Sequence, residues 1–231
     1  MPTTSSETSA RPSTGSSQNA LVAWTCVVAV FVGLNFATRA SSQTDRNVLY
    51  EYTTAGSALV SFVILVGLTL LIALWLRRPF ADIGLTRFSG RWLAAAVGVI
   101  VIVVILGAAL EPVLHAGEKQ GFEPTMWKPD RADAFALNAA FAATLVPFAE
   151  ELFFRGLGVR ILFPFGGLGA VGVTALAFGL GHGILVALPV LVVFGVGLGW
   201  VRLRSGSVWP GVLAHGLYNG GILLYLYFDL T

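Results

Sequence analysis

Long runs of apolar residues, separated by short polar segments, dominate the chain from residue 20 onward. Most runs approach the ~20 apolar residues that a helix needs to cross the hydrocarbon core of a membrane. The pattern predicts an all-α fold, a polytopic transmembrane helical bundle of about seven spans. The predicted spans cover residues 20–37, 56–76, 92–110, 134 to a break at 164–167, 168–184, 188–202 and 208–228.

Residues 1–19 differ from the rest because they are rich in Ser and Thr and nearly free of apolar side chains. Such a segment buries too little surface to offset the entropy lost on ordering, so we predict a disordered tail. The run that follows is about as long as a full span and has only Arg11 in front of it. We interpret it as a retained first helix, not as a signal peptide.

The composition supports a membrane protein. Hydrophobic residues make up 56% of the chain and charged residues 11%, whereas a soluble domain carries roughly 25% charged residues. The formal net charge of +2 is too small to indicate nucleic-acid binding. We therefore expect the lipid bilayer, and no nucleic acid, among the partners.

The Lys and Arg residues of the loops predict an orientation, because cytoplasmic loops carry the excess of these residues. With the N-terminus inside, the inner segments hold eight of them and the outer segments five. We therefore expect the cell membrane as the location and a cytoplasmic N-terminus. The inner loop of residues 77–91 contributes four of the eight. Its apolar side chains, including Phe80 and Ile83, are predicted to dip into the membrane interface.

Few ionisable or strongly polar side chains fall well inside the predicted spans. A charge at the bilayer centre costs at least ~2.5–3.5 kcal/mol on insertion scales, so each such residue is a candidate for function. They occur in only three of the spans. The set comprises Glu150, Glu151, Arg155, His182, His215 and Asn219.

The predicted depths of these residues agree. At 1.5 Å per residue, Glu150 lies ~18 Å from the inner end of its helix, and His182 lies ~21 Å along the next. Asn219 lies ~17 Å along the last span, with His215 one turn lower. Independent helices thus place polar groups near one level, as a single buried site requires.

Helical spacing assigns different positions to the two glutamates. Glu151 and Arg155 are four residues apart, so they share a helix face and can form an ion pair. Glu150 is turned ~100° away and can point into the bundle. By the same spacing, His215 and Asn219 face one point, and Phe178 lies against His182 as a wall of the site.

A glutamate, two imidazoles and an amide fit hydrolysis. Glu150 can act as general base for water, while the histidines and Asn219 hold that water or donate to an oxyanion. The same set could instead hold a divalent metal such as Zn²⁺ through His182, His215 and Glu150. Both alternatives stay open from the residues alone. No Ser/His/Asp or Cys/His arrangement, HExxH motif or phosphate loop is present.

Three motifs in this order carry a family resemblance. They are EELFFR at residues 150–155, FGLGH at 178–182 and HGLYN at 215–219. Together they resemble the motifs of the CAAX-protease and bacteriocin-processing family of intramembrane endopeptidases, which includes the Rce1-type prenyl proteases. The resemblance covers about residues 135–223. It divides the chain into the tail of residues 1–19, N-terminal helices and loops in 20–133, and catalytic helices in 134–228.

The resemblance implies an endopeptidase that cleaves peptide bonds within or near the bilayer. It implies catalytic roles for Glu150, His182, His215 and Asn219. Glu151 belongs to the catalytic motif, with Arg155 and Phe178 in support. The implied substrates are membrane-associated or lipidated, CAAX-type proteins or peptides. The implied chemistry uses water activated by glutamate, either with a divalent metal or with none.

Two other classes of function also use buried polar clusters. A transporter or proton pathway can place Glu and His inside the membrane, but it often shows inverted repeats or paired broken helices. No convincing repeat is found in this sequence. A non-catalytic immunity or scaffold protein is the third possibility.

Overall fold

In the computed structural model, residues 14–41, 48–116 and 127–230 are described, and helices with short connections make up these ranges, with no strand among them. The predicted all-α class is confirmed. The helices are α1 Thr14–Ser41, α2 Tyr52–Trp75, α3 Gly90–Leu114, α4 Ala132–Ala143, α5 Leu145–Glu150, α6 Val159–Leu162, α7 Gly167–Gly181, α8 Leu188–Ser205 and α9 Trp209–Leu230. A π-helical segment, Glu151–Gly158, joins α5 to α6. Single 3₁₀ turns cover Val48–Tyr50, Pro129–Arg131, Phe163–Phe165 and Leu185–Ala187.

Within the described ranges, five helical stretches are long and apolar enough to cross a membrane. They are Ser17–Ala40, Tyr52–Trp75, Gly90–Leu114, Pro129–Phe165 and Leu185–Ser205. The apolar helix Gly167–Gly181 is shorter, and α9 carries polar side chains and glycines that lower its hydropathy. With these two helices, the described bundle agrees with the predicted count of about seven.

Two predicted helix ends need correction. The first helix begins at Thr14, so residues 14–19 of the predicted tail are helical, while residues 1–13 lie outside the described residues. Helix α7 ends at Gly181, and His182 is its C-terminal cap, not a residue deep inside a span. The spans predicted for residues 168–184 and 188–202 imply a break between them, and α8 does begin at Leu188.

The span predicted from residue 134 is not one continuous α-helix. The chain breaks at Thr144, whose φ of −126° and ψ of −69° are not helical. Pro147 explains the break, because it has no N–H to donate to the carbonyl of Ala143 and its ring clashes with that turn. The π-helical segment that follows is wider than an α-helix and contains Glu151 and Arg155.

Helices α7 and α8 lie against each other through glycines. A Cβ atom on Gly195 would lie 2.8 Å from the backbone of Ala175, and one on Gly199 would lie 2.9 Å from Val171. Small residues let membrane helices approach closely and gain dispersion contacts where lipid supplies no hydrophobic driving force. This close pair forms one wall of the bundle.

Helix α1 packs against the π-helical segment, although it lies far away in the sequence. The ring of Trp24 stacks on Phe153 at 5.9 Å, and its Nε1–H points to the carbonyl of Phe153 at 3.4 Å. Gly158 makes room for the indole, because a Cβ there would lie 2.7 Å from it. The first helix therefore supports the segment that carries the glutamates.

The loop of residues 77–91 lies partly in the bundle and not wholly along its surface. Ile83 is buried at 1% exposure, which corrects the prediction that it dips into the interface, whereas Phe80 is 47% exposed. The carbonyl of Gly84 accepts a hydrogen bond from the N–H of Val208. This bond ties the loop to the turn that precedes α9.

Candidate active site

Glu151 and Arg155 form the predicted ion pair. Their Oε1 and Nη1 atoms are 2.9 Å apart, and both side chains are at most 1% exposed. The guanidinium carbon of Arg155 also lies 4.1 Å from the centre of the Phe178 ring, at a distance typical of cation–π contacts. The guanidinium N–H groups lack well-aligned hydrogen bonds within the described structure, so charge attraction and ring contact hold the arginine.

His215 lies between the two glutamates. Its Nδ1 is 3.3 Å from Oε1 of Glu151, and its Nε2 is 3.9 Å from Oε2 of Glu150. The ring is 3% exposed and meets the rings of Phe178 and Phe194 edge-on, at 5.8 and 5.0 Å. Packing and the Glu151 contact thus fix the plane of this imidazole.

The arrangement determines which atoms carry protons. An ionised carboxylate only accepts hydrogen bonds, so we assign a proton to Nδ1 of His215, which faces Glu151. Nε2 then has a lone pair and faces a second acceptor, Oε2 of Glu150. That oxygen is buried and has no hydrogen-bond partner among the described residues. With this assignment, both atoms can accept hydrogen bonds from one donor placed between them, such as a water molecule.

His182 is oriented from both sides. Its Nδ1 lies 2.9 Å from the carbonyl oxygen of Phe178, so Nδ1 carries the proton and donates it. Nε2 is then available as an acceptor. The Nε–H of Arg39, near the end of α1, donates to the carbonyl of His182 at 2.7 Å. The predicted contact of Phe178 with His182 is present, with ring centres 4.8 Å apart.

Asn219 attaches α9 to the break between α4 and α5. Its Nδ2 donates to the carbonyl of Ala142 at 2.9 Å, so one of its two N–H groups remains for another acceptor. Gly216 makes the approach possible, because a Cβ there would collide with the carbonyl oxygen of Ala143. The break at Pro147 therefore also positions the side-chain amide of Asn219, through the carbonyl of Ala142.

A cavity of about 200 Å³ adjoins these groups. Three of the predicted catalytic residues, His182, His215 and Asn219, line it. The rest of its lining is mostly apolar and comprises Arg39, Ala142, Phe178, Ile184, Leu191, Phe194, Tyr218, Ile222 and Leu223. Glu150 and Glu151 do not line the cavity, and they reach it through their contacts with His215.

The three predicted metal ligands do not form a ready-made metal site. Within the described ranges, no group of three His, Cys, Asp or Glu side chains is placed to hold a metal ion. His182 caps the end of α7 and donates Nδ1–H to a backbone carbonyl, which leaves Nε2 free to act as a ligand. A divalent metal held by Glu150, His182 and His215 therefore stays a prediction.

Arg39, Phe194 and Tyr218 contribute to the cavity but were not predicted. Arg39 is 143 residues from His182 and was counted only as an outer-loop cation. Phe194 and Tyr218 stack on each other at 5.3 Å. Periodicity does not distinguish them from ordinary packing residues, and of the three only Tyr218 lies within a motif, HGLYN.

Comparisons with known proteins agree with the motifs. No curated protein and no solved structure matches the chain. The model of a family described as "Type II CAAX prenyl endopeptidase Rce1-like" does match, over residues 132–221. This range contains both glutamates, both histidines and Asn219. The five helical stretches of spanning length indicate an integral membrane protein. Residues 132–221, less than half of the chain, are thus similar to the Rce1-like family.

Proposed function

We propose that the chain is an intramembrane endopeptidase that hydrolyses peptide bonds of membrane-associated or lipidated, CAAX-type proteins or peptides. One observation carries the proposal most strongly. The buried imidazole of His215 lies between Glu151, which is paired, and Oε2 of Glu150, which has no protein hydrogen-bond partner in the described structure. The imidazole also lines a mostly apolar cavity. The match to the Rce1-like family supports the same reaction class.

In this proposal, Glu150 is the general base. The 3.9 Å between its Oε2 and Nε2 of His215 is too long for a direct hydrogen bond. This separation allows one water oxygen to lie about 2.8 Å from both atoms, beside the line that joins them. Glu150 takes one proton of that water, and the oxygen attacks the carbonyl carbon of the scissile bond.

The attack gives a tetrahedral intermediate with a negative oxygen. The second N–H of Asn219 is available to donate to that oxygen, because the first is used by Ala142. When the C–N bond breaks, Glu150 returns its proton to the leaving amine, so the products are a carboxylic acid and an amine. His182 accepts a hydrogen bond through Nε2 and orients the water or a substrate N–H.

Glu151 and Arg155 act through His215 in this scheme. Glu151 accepts from Nδ1 and so keeps the Nε2 lone pair directed at Glu150. Arg155 neutralises Glu151 in a place where an unpaired charge would be costly. We assign both residues positioning roles. Metal assistance stays a prediction, and no step above depends on it; metal analysis of the purified protein tests it.

The lining of the cavity indicates the kind of substrate. Ile184, Leu191, Ile222 and Leu223 offer contacts to aliphatic side chains or to a lipid group. We therefore propose a peptide with apolar residues next to the scissile bond. A fluorogenic peptide that ends in a prenylated CAAX sequence is the first probe, and its unlipidated counterpart shows whether the lipid is needed.

A test that needs no known substrate compares cells that express the wild type or Glu150→Gln at equal membrane levels. Mass spectrometry of protein termini in the membrane fraction should detect new termini only with the wild type. Glu51→Gln is the matched control, because Glu51 precedes α2 and does not line the cavity. Identical termini with the wild type and Glu150→Gln would contradict the proposal, and loss of solute flux in that variant would favour a transporter.

A further inference from the structure

Three arginine side chains surround Asp82 at the end of the bundle where α2, α6 and α8 end. Nη1 of Arg78 and Nη2 of Arg160 lie 3.3 and 3.5 Å from the same oxygen, Oδ2 of Asp82. Nη2 of Arg202 donates to the backbone carbonyl of Asp82 at 3.0 Å, not to its carboxylate. One carboxylate thus serves two guanidinium groups at long distances, and a third lies beside it.

This arginine cluster, Arg78, Arg160 and Arg202, keeps an excess of positive charge. The side chains of Arg78, Asp82 and Arg160 are about one-third exposed, at 28%, 29% and 32%. Nε of Arg202 is buried without a hydrogen-bond partner in the described structure. Guanidinium groups match phosphate oxygens in pairs, so the cluster has unused capacity for an anion of that shape.

A small cavity of about 50 Å³ lies at this cluster. Its polar lining is Arg78, Arg160 and Ser17, so two cations and one hydroxyl face the same space. The remaining lining is apolar and comes from α1, α2, α6, the π-helical segment and the adjoining turns: Ala20, Ala73, Leu76, Ile83, Leu157, Ile161 and Pro164. Cationic side chains beside an apolar wall match an amphiphilic ligand, which has an anionic headgroup and an apolar chain.

The position of the cluster agrees with a membrane interface. The described ends of the helices on this side carry seven arginines and one acidic residue, Asp82, whereas those on the other side carry three basic and five acidic residues. Trp92 meets Trp200 edge-on at 6.0 Å, with Arg91 and Arg204 over their rings. Tryptophans flanked by arginines are typical of the headgroup level.

We infer that the arginine cluster is a binding site for the phosphate group of an anionic phospholipid, with its acyl chain along the apolar wall of α1 and α2. Basic pockets between membrane helices recognise such headgroups through charge-assisted hydrogen bonds. The site lies at the opposite end of α1 from Arg39 and His182, so it is separate from the candidate active site. A bound lipid there would fasten α1 to α2 and α6.

The test uses the full chain in nanodiscs of phosphatidylcholine, with or without phosphatidylglycerol. Native mass spectrometry should find phosphatidylglycerol retained by the wild type, and thermal unfolding should shift upward with that lipid. The variant Arg78→Gln/Arg160→Gln should bind it about thirtyfold more weakly, since each basic residue contributes ~1 kcal/mol to such attraction. Inorganic phosphate forms a separate arm, and stabilisation by it alone would contradict the lipid assignment.

The matched control removes two charges from the same end but outside the cavity. Arg91→Gln/Arg204→Gln should keep most of the retained lipid. An equal loss in both double variants would overturn the inference, because it would show attraction by diffuse charge only. Asp82→Asn provides a second test if Arg78→Gln/Arg160→Gln does not fold. It removes the competing carboxylate and should tighten retention, and weaker retention by this variant would also overturn the inference.

Discussion

Glu150 and Glu151 are neighbours in the sequence, but their carboxylates meet different partners. Glu151 contacts Arg155 at 2.9 Å and His215 at 3.3 Å, and it is 1% exposed. Oε2 of Glu150 has no hydrogen-bond partner among the described residues. Two chemically identical side chains can therefore carry different roles, one in holding the imidazole and one in activating water.

The Glu151–Arg155 pair should be coupled in stability. Arg155→Met leaves a buried carboxylate without its cation, and breaking a buried pair in this way costs about 3–5 kcal/mol. Glu151→Gln/Arg155→Met should be less destabilised than the two single variants added together. Unfolding of the purified protein in mixed micelles measures the cycle. Strict additivity would mean that the pair contributes no coupling energy.

Asn219→Ala should lower kcat by about 10²–10³, as removal of one oxyanion donor does. The proposed contact exists only after the water attacks, so KM should change little. Steady-state kinetics on the prenylated peptide separate the two constants. A large rise in KM with unchanged kcat would instead assign Asn219 to substrate binding.

For individual residues, spacing in the sequence predicted contacts between side chains of the same helix. The Glu151–Arg155 and Phe178–His182 contacts were predicted from an interval of four residues and are present. Arg39 was not predicted, because its contact with His182 joins residues 143 positions apart. Periodicity reports which side chains share a face, and it does not report which distant helix covers that face.

The element that matters most is the broken helix between Ala132 and Leu162. Its break at Thr144 gives Asn219 access to the carbonyl of Ala142, and its π-helical part positions Glu151. Pro147 is a sequence signal for an interrupted helix, but no residue predicts the π-helical turns that follow it. Residues 151–158 read as an ordinary apolar helix, since a π-helix is formed by the same side chains as an α-helix.

Helix α9 should be sensitive to side-chain size at one glycine. A Cβ on Gly211 would lie 2.8 Å from Oε2 of Glu151, whereas one on Gly221 of the same helix meets nothing within 4 Å. Gly211→Ala should therefore displace Glu151 or α9 and reduce activity several-fold, while Gly221→Ala should not. Peptide cleavage by the two variants at equal membrane levels measures the difference. Equal activity would show that the carboxylate is free to move.

For the whole molecule, the all-α class and the approximate number of spans were predictable, and the contacts between the helices were not. Apolar runs of spanning length predict a helical bundle because a membrane admits few other structures. The packing of α1 against Phe153 and Gly158 could not be predicted, since any apolar helix face could have met lipid instead. The family match begins at residue 132, so α1 lies outside it.

The proposed orientation has a direct consequence. If the arginine-rich end is cytoplasmic, a cysteine placed at Ser89 should react with a membrane-impermeant reagent only after the cells are opened. A cysteine at Asp130, on the opposite end, should react in intact cells. Both residues are exposed, and the single native cysteine, Cys26, is first replaced by Ser. The reverse labelling pattern would place the N-terminus outside.

The most direct test of the central claim is the rate of peptide-bond cleavage by purified Glu150→Gln. The amide keeps the size of the side chain and removes its capacity to take a proton from water. If Glu150 is the general base, the rate should fall about 10²–10⁴-fold, while Glu51→Gln stays at the wild-type rate. A Glu150→Gln protein that folds normally and cleaves the prenylated peptide at the wild-type rate would contradict the account.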